Sequence, residues 1–102
     1  MHLIEILLPL HDNEGRRFPP ERFGEVRREL LDHFGGFTAF ARSPAEGLWQ
    51  AGDGEPVRDE VVIFEVMADW IDRSWWRSYR SELEKSFAQQ EIVVRAREVE
   101  KL

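Results

Sequence analysis

Two glutamates, Glu5 and Glu65, each stand inside a run of otherwise apolar residues, in L-I-E-I-L-L near the start of the chain and V-V-I-F-E-V-M from Val61 to Met67. A carboxylate carried into an apolar environment has to be paired, protonated or used, because an isolated buried charge is too costly to keep. The residues able to meet these carboxylates are arginines: Arg42, Arg95 and Arg97 in segments with strand-like alternation, and Arg58 just ahead of the Glu65 run. Such a set supports two chemistries. It can be a group of structural ion pairs where an interface would otherwise strand charge. Alternatively it can line a cavity in which Glu65 or Glu5 is the general acid or base, and Arg42 and Arg58 hold an anionic substrate by charge-assisted hydrogen bonds.

Other residue types could contribute. Trp49 follows Pro44 and Gly47, is hard to place in a core, and suits a pocket lid or an interface anchor. Tyr79 lies with Trp75 and Trp76 on one helical face, where large aromatics stabilise a core by area or line a binding pocket. His11, Asp12 and Glu14 are adjacent loop residues with no second histidine nearby, and His2 and His33 could join them only through folding, so no metal site is expected. No Ser-His-Asp order or phosphate loop is present, and no cofactor is expected.

The elements that position these groups follow from periodicity. Leu3 to Leu10 and Val57 to Met67 are apolar on both faces, as strands in the middle of a sheet are. Phe37 to Arg42 and Glu91 to Glu100 alternate, as edge strands do. His11 to Arg17 reads as a loop, and Pro44 with Gly47 as a bulge or kink. Pro19 and Pro20 open a helix that carries Phe23, Val26, Leu30 and Phe34 on one face and stops at Gly35 and Gly36. Asp69 or Asp72 caps a second helix with Trp75, Trp76, Tyr79, Leu83 and Phe87 on one side and Arg73, Arg77, Ser81, Glu84 and Lys85 on the other. Gly52-Asp53-Gly54 can take positive φ and predicts a hairpin turn.

The expected order is therefore β-α-β-β-α-β, one α+β domain over residues 1–102 of ferredoxin-like type, with a four-stranded antiparallel sheet ordered 4-1-3-2 and two helices on one face. Ile4, Ile6, Leu8, Phe37, Ala39, Ala41, Val62, Phe64, Val66, Ile92 and Val94 should face the helices. The opposite face carries Leu3, Leu7, Phe40, Val61, Ile63, Met67 and Val93 around the charges, a patch larger than the roughly 400 Å2 that a monomer leaves in water. A symmetric homodimer, sheet against sheet, is the expected cover.

Composition limits the partners. A chain of 102 residues buries only about two thirds of its extended surface when alone, which also favours self-association. The net charge of −6, with arginines interleaved among carboxylates, argues against nucleic acid. No window has the apolar length of a bilayer span. Glu5 interrupts the apolar N-terminal run with no basic segment before it, so no secretory leader is expected, and the absence of cysteine excludes thiol chemistry and suits a reducing compartment. A cytoplasmic location is expected.

The stretch V-I-F-E-V-M-A-D-W-I-D-R-S-W-W-R-S-Y, with E-I-V-V-R-A-R-E-V-E near the C-terminus, resembles the strand-helix-strand half of the dimeric α+β barrel superfamily, including antibiotic-biosynthesis-monooxygenase-like domains. The resemblance implies a homodimer with a cavity between each sheet and its helices. Those domains often carry a histidine on the second helix; here that helix has Trp75, Trp76 and Tyr79, and the one asparagine, Asn13, is in a loop, so the resemblance does not extend to cofactor-free oxygenation or haem degradation. G-G-F-T-A-F-A-R-S-P-A-E-G-L-W is also similar to a segment of small bacterial proteins of unassigned function. Two functional readings follow: a homodimeric module whose open sheet face serves association, with binding of a small anionic or aromatic molecule secondary; or a small cofactor-independent oxygenase, isomerase or lyase with Glu65 as base and Arg42 and Trp49 as binders.

Overall fold

The computed structural model describes residues 1–36, 38–42, 50–51, 55–56 and 60–102; for 39–42, 50–51 and 55–56 only the backbone is described. The chain forms β1 (His2–Pro9), α1 (Pro20–Phe34), β2 (Thr38–Arg42), β3 (Gln50–Ala51), β4 (Glu55–Pro56), β5 (Val61–Ala68), α2 (Arg73–Ser86) and β6 (Val94–Glu98). The main antiparallel sheet runs β2-β5-β1-β6, so the two strands apolar on both faces occupy its centre. The expected succession of six elements is corrected: a second, two-stranded sheet of β3 and β4 stands between β2 and β5 in the chain. The strand expected from Val57 is β5, which begins at Val61 because Glu60 lies outside the ladder, and the last strand shortens from Glu91–Glu100 to Val94–Glu98. The expectations for Phe37, Pro44, Gly47 and the Gly52-Asp53-Gly54 turn lie outside the described residues.

Each helix has a local reason to start where it does. Pro20 opens α1 with φ already suited to the first turn, and Gly35, at φ 78°, closes it by donating its N–H to the Leu31 carbonyl. The Asp72 carboxylate accepts a hydrogen bond from the Trp75 N–H and caps α2, an end that would otherwise leave its first N–H groups unmet. In the intervening loop, Asp12 Oδ1 accepts from the backbone N–H groups of both Glu14 and Arg16, which fixes the turn between β1 and α1.

Both helices pack on one side of the sheet. Phe23, Val26 and Leu30 of α1 and Trp76, Tyr79 and Leu83 of α2 close over Ile4, Ile6, Leu8, Phe64 and Val66, with Ile92 and Phe87 completing the core. Phe87 sits at the junction, 5.0 Å edge-on from Phe18 and 5.4 Å from Phe23, and so ties the end of α2 to the start of α1. At the other end His33 stacks on Trp75 at 3.9 Å, and Phe34 stacks on Trp76 at 5.4 Å. Among the described residues no helix is long and apolar enough to cross a membrane.

Candidate functional site

On the far side of the sheet the antiparallel register places Glu5 directly opposite Glu65, with Thr38 beyond Glu65 and Arg95 beyond Glu5. Like charges facing each other across a strand pair repel, and the row is relieved from one end: Arg95 Nε donates to Glu5 Oε1 at 3.1 Å. The Glu5 side chain is 13% exposed and Arg95 51%, so the pair is sunk on the carboxylate side and open to water on the guanidinium side. Glu65 is half-buried and, among the described residues, has no ion pair. A carboxylate so placed is open to a cationic group, while its neighbour is already engaged by arginine.

The apolar residues around this row are unevenly covered. Ile63, opposite Leu7, is buried at 1% exposure, whereas Met67 is 55% and Val93 44% exposed, and Leu3, Leu7 and Val61 are half-buried. The alternation read from the sequence thus places these side chains away from the helices, with the greasy surface densest at the β1–β5 centre. Of the arginines expected beside the glutamates, Arg95 and Arg97 lie on β6 beside β1, Arg97 opposite Leu3. Arg42 ends β2, with its Cα opposite Val61; its side chain, and Trp49 and Arg58 altogether, lie outside the described residues.

The structure does not bring Tyr79 to the glutamates. It is 4% exposed in the helix-side core, stacked on Trp75 at 4.9 Å, with its hydroxyl lacking a hydrogen-bond partner. Burial pushes the Tyr79 phenol well above its usual value of 10.0, and the charges of Glu29 and Glu82 push in the same direction. Glu29 is itself raised above the ordinary carboxylate value, first by burial, then by Glu82 and Glu25, against the opposing pull of Arg28. The histidines are dispersed: His2 faces Glu98 at 3.9 Å, His33 stacks on Trp75, and the Asp12 carboxylate is occupied by its own turn. Among the described residues no three His, Asp or Glu side chains converge in a way that could hold a metal ion.

A second concave region was not singled out from the sequence. It lies between α2 and the edge strand β6, has a volume of about 500 Å3, and is lined by Arg73, Arg77 and Arg80 from the helix and by residues Val94 to Glu98 of the strand. The spacing of three, four and seven along the second helix was the available signal, since those positions share one helical face.

An antiparallel sheet with β1 and β5 at its centre and two helices on one side defines a small α+β protein of ferredoxin-like fold. No protein-family model matches the chain, and no curated protein matches it in sequence, so the resemblance to antibiotic-biosynthesis-monooxygenase-like domains has no support at the level of family. Among solved structures it is similar to a phage SAM lyase in complex with S-methyl-5'-thioadenosine, with a TM-score of 0.64 at 13% identity, over 95% of this chain and 80% of that one. It is also similar to CutA1 from Pyrococcus horikoshii, with a TM-score of 0.56 at 12% identity, over 100% of this chain and 86% of that one. Likeness at these identities establishes the fold and nothing about activity.

Proposed function

We propose that this is a homodimeric ferredoxin-like protein of the cytoplasm that associates through the open face of its sheet, with binding of a small molecule secondary to that association. The observation that carries the reading is the make-up of the face itself: exposed Met67 and Val93 and half-buried Leu3, Leu7 and Val61 surround a glutamate–arginine pair. Packing this face on its own symmetry mate would remove the apolar rows from water and place the pair where neither charge lacks a partner. The replacement of both Met67 and Val93 by lysine tests it, since both side chains already face solvent and their loss leaves the helix-side core intact. Sedimentation velocity should show a dimer for the native chain and a folded monomer for the double variant. A native chain that stays monomeric at high concentration would overturn the reading.

A second reading is favoured by the unpaired state of Glu65 among the described residues. Here Glu65 is the general base of a cofactor-independent enzyme of oxygenase, isomerase or lyase type, Glu5 is its charged neighbour, and Arg42, Arg58 and Trp49 hold a small anionic or aromatic substrate, with Tyr79 apart from them. The phage SAM lyase supports it only as a small-molecule enzyme with the same fold. Glu65→Gln separates the two readings: in the enzyme it leaves the dimer intact and abolishes turnover, whereas in a purely structural role it changes association.

A further inference from the structure

Across the centre of the open sheet face one row of residues runs Thr38, Glu65, Glu5, Arg95 from β2 to β6, and the next row runs Met67, Leu3, Arg97 from β5 to β6. Arg95 is engaged by Glu5. Among the described residues Glu65 and Arg97 form no ion pair, so the face carries one unmatched charge of each sign. They stand two strands and two residues apart, about 10 Å across the sheet and about 7 Å along it, and do not meet within one subunit. Glu65 is already half-buried, while Arg97 is exposed. A second copy laid on this face would strip the remaining water from Glu65, which is costly unless that copy brings a cation.

We infer that Glu65 of each subunit pairs with the partner's Arg97, two symmetric contacts that presuppose the association through the sheet face proposed above. The two-fold axis of a face-to-face dimer lies between the two sheets. Parallel to the strands and midway between β1 and β5, it would lay Glu65 over the partner's Glu5; along the row, it would lay each glutamate over its own copy. Both stackings gather the carboxylates of the two copies, and like charges set against each other across an interface oppose association. An axis oblique to the strands, midway between Glu65 and Arg97, lays Glu65 over the partner's Arg97 and brings Met67, 55% exposed, over the partner's Leu3. The strands of the two copies then cross steeply, as they do where sheets pack orthogonally. In the separated subunit Glu65 keeps only its repulsion with Glu5; in the pair it gains an attraction that offsets it. The apolar side chains supply the buried area, and the charges select one stacking of the sheets from several.

Charge reversal tests the pairing. Glu65→Arg sets two guanidiniums against each other at each contact, and Arg97→Glu sets two carboxylates. By sedimentation velocity each single variant should dissociate about a hundredfold more readily than the native dimer, with unchanged circular dichroism. Mixed in equal amounts, the two variants should form a heterodimer of near-native affinity, identified by its mass in native mass spectrometry, because each contact then joins opposite charges. A pairing within one subunit would gain nothing from mixing. Arg97 is at an exposed position, and Glu65→Arg would face Glu5 across the strand pair, so neither reversal sets like charges together within a subunit's central row. The native dimer, which needs no substitution, should also weaken between about 0.05 M and about 0.5 M salt, where exposed charges are screened. Single variants that associate as tightly as the native chain, a mixture without heterodimer, or a native dimer indifferent to salt would overturn the pairing and leave the association standing. A native chain that stays monomeric at high concentration would overturn both.

Discussion

Replacement of Arg95 by methionine isolates the electrostatics of the central row. The guanidinium meets Glu5 at 3.1 Å, and two unit charges about 4 Å apart attract by about 4 kcal/mol at an effective dielectric of 20. Half the arginine side chain is in water, so desolvation and screening reduce this to a net loss of about 1–2 kcal/mol on substitution. That corresponds to a fall of about 0.5–1 M in the urea midpoint for a domain with a typical denaturant dependence. Glu65→Gln acts in the opposite sense: it removes the repulsion across the β1–β5 register and should stabilise by about 0.2–1 kcal/mol. The gain should be larger in the Arg95→Met background, where Glu5 has lost its counter-charge, with a coupling of about 0.5 kcal/mol or more. Urea unfolding of the four proteins in this cycle, at low and high salt, measures both quantities. An Arg95→Met midpoint equal to the native one, or a Glu65→Gln variant destabilised as much as Arg95→Met, would refute the account of the row.

Tyr79→Phe removes a buried hydroxyl that has no partner and should stabilise by about 1 kcal/mol at neutral pH. Because the folded phenol holds its proton above the usual value of 10.0 while the unfolded one releases it there, native stability should fall as pH rises past that point. The variant should lack that part of the fall, and the single tyrosine makes phenolate absorbance a direct check: it should appear only on unfolding. Asp72→Ala removes the side-chain cap of α2 and should cost about 1 kcal/mol in thermal or urea unfolding, with Asp72→Asn recovering most of it.

Several features could be read from the chain because their causes are local. Pro20 and Gly35 bracket α1, Asp72 begins α2, and the aromatic and aliphatic spacing from Trp76 to Phe87 marks the buried face of that helix. The central position of β1 and β5 was visible in runs apolar on both faces, which mark strands with a neighbour on each edge. The small β3–β4 sheet gave no such signal: its strands are two residues long, too short for any periodicity.

Sequence alone therefore determined which side chains β1, β5 and the two helices turn inward, because alternation of two and repetition of 3.6 are properties of a single segment. It also marked Glu5 and Glu65 as carboxylates in apolar company. Only the tertiary structure decided that these two face each other, that Arg95 takes Glu5, and that Tyr79 lies on the other side of the sheet from both. A slip of two residues in register would have kept both glutamates on this face but no longer opposite each other, and no local pattern specifies the register to that degree. The groove that Arg73, Arg77 and Arg80 border beside β6 is likewise a product of packing, since it joins two separate elements.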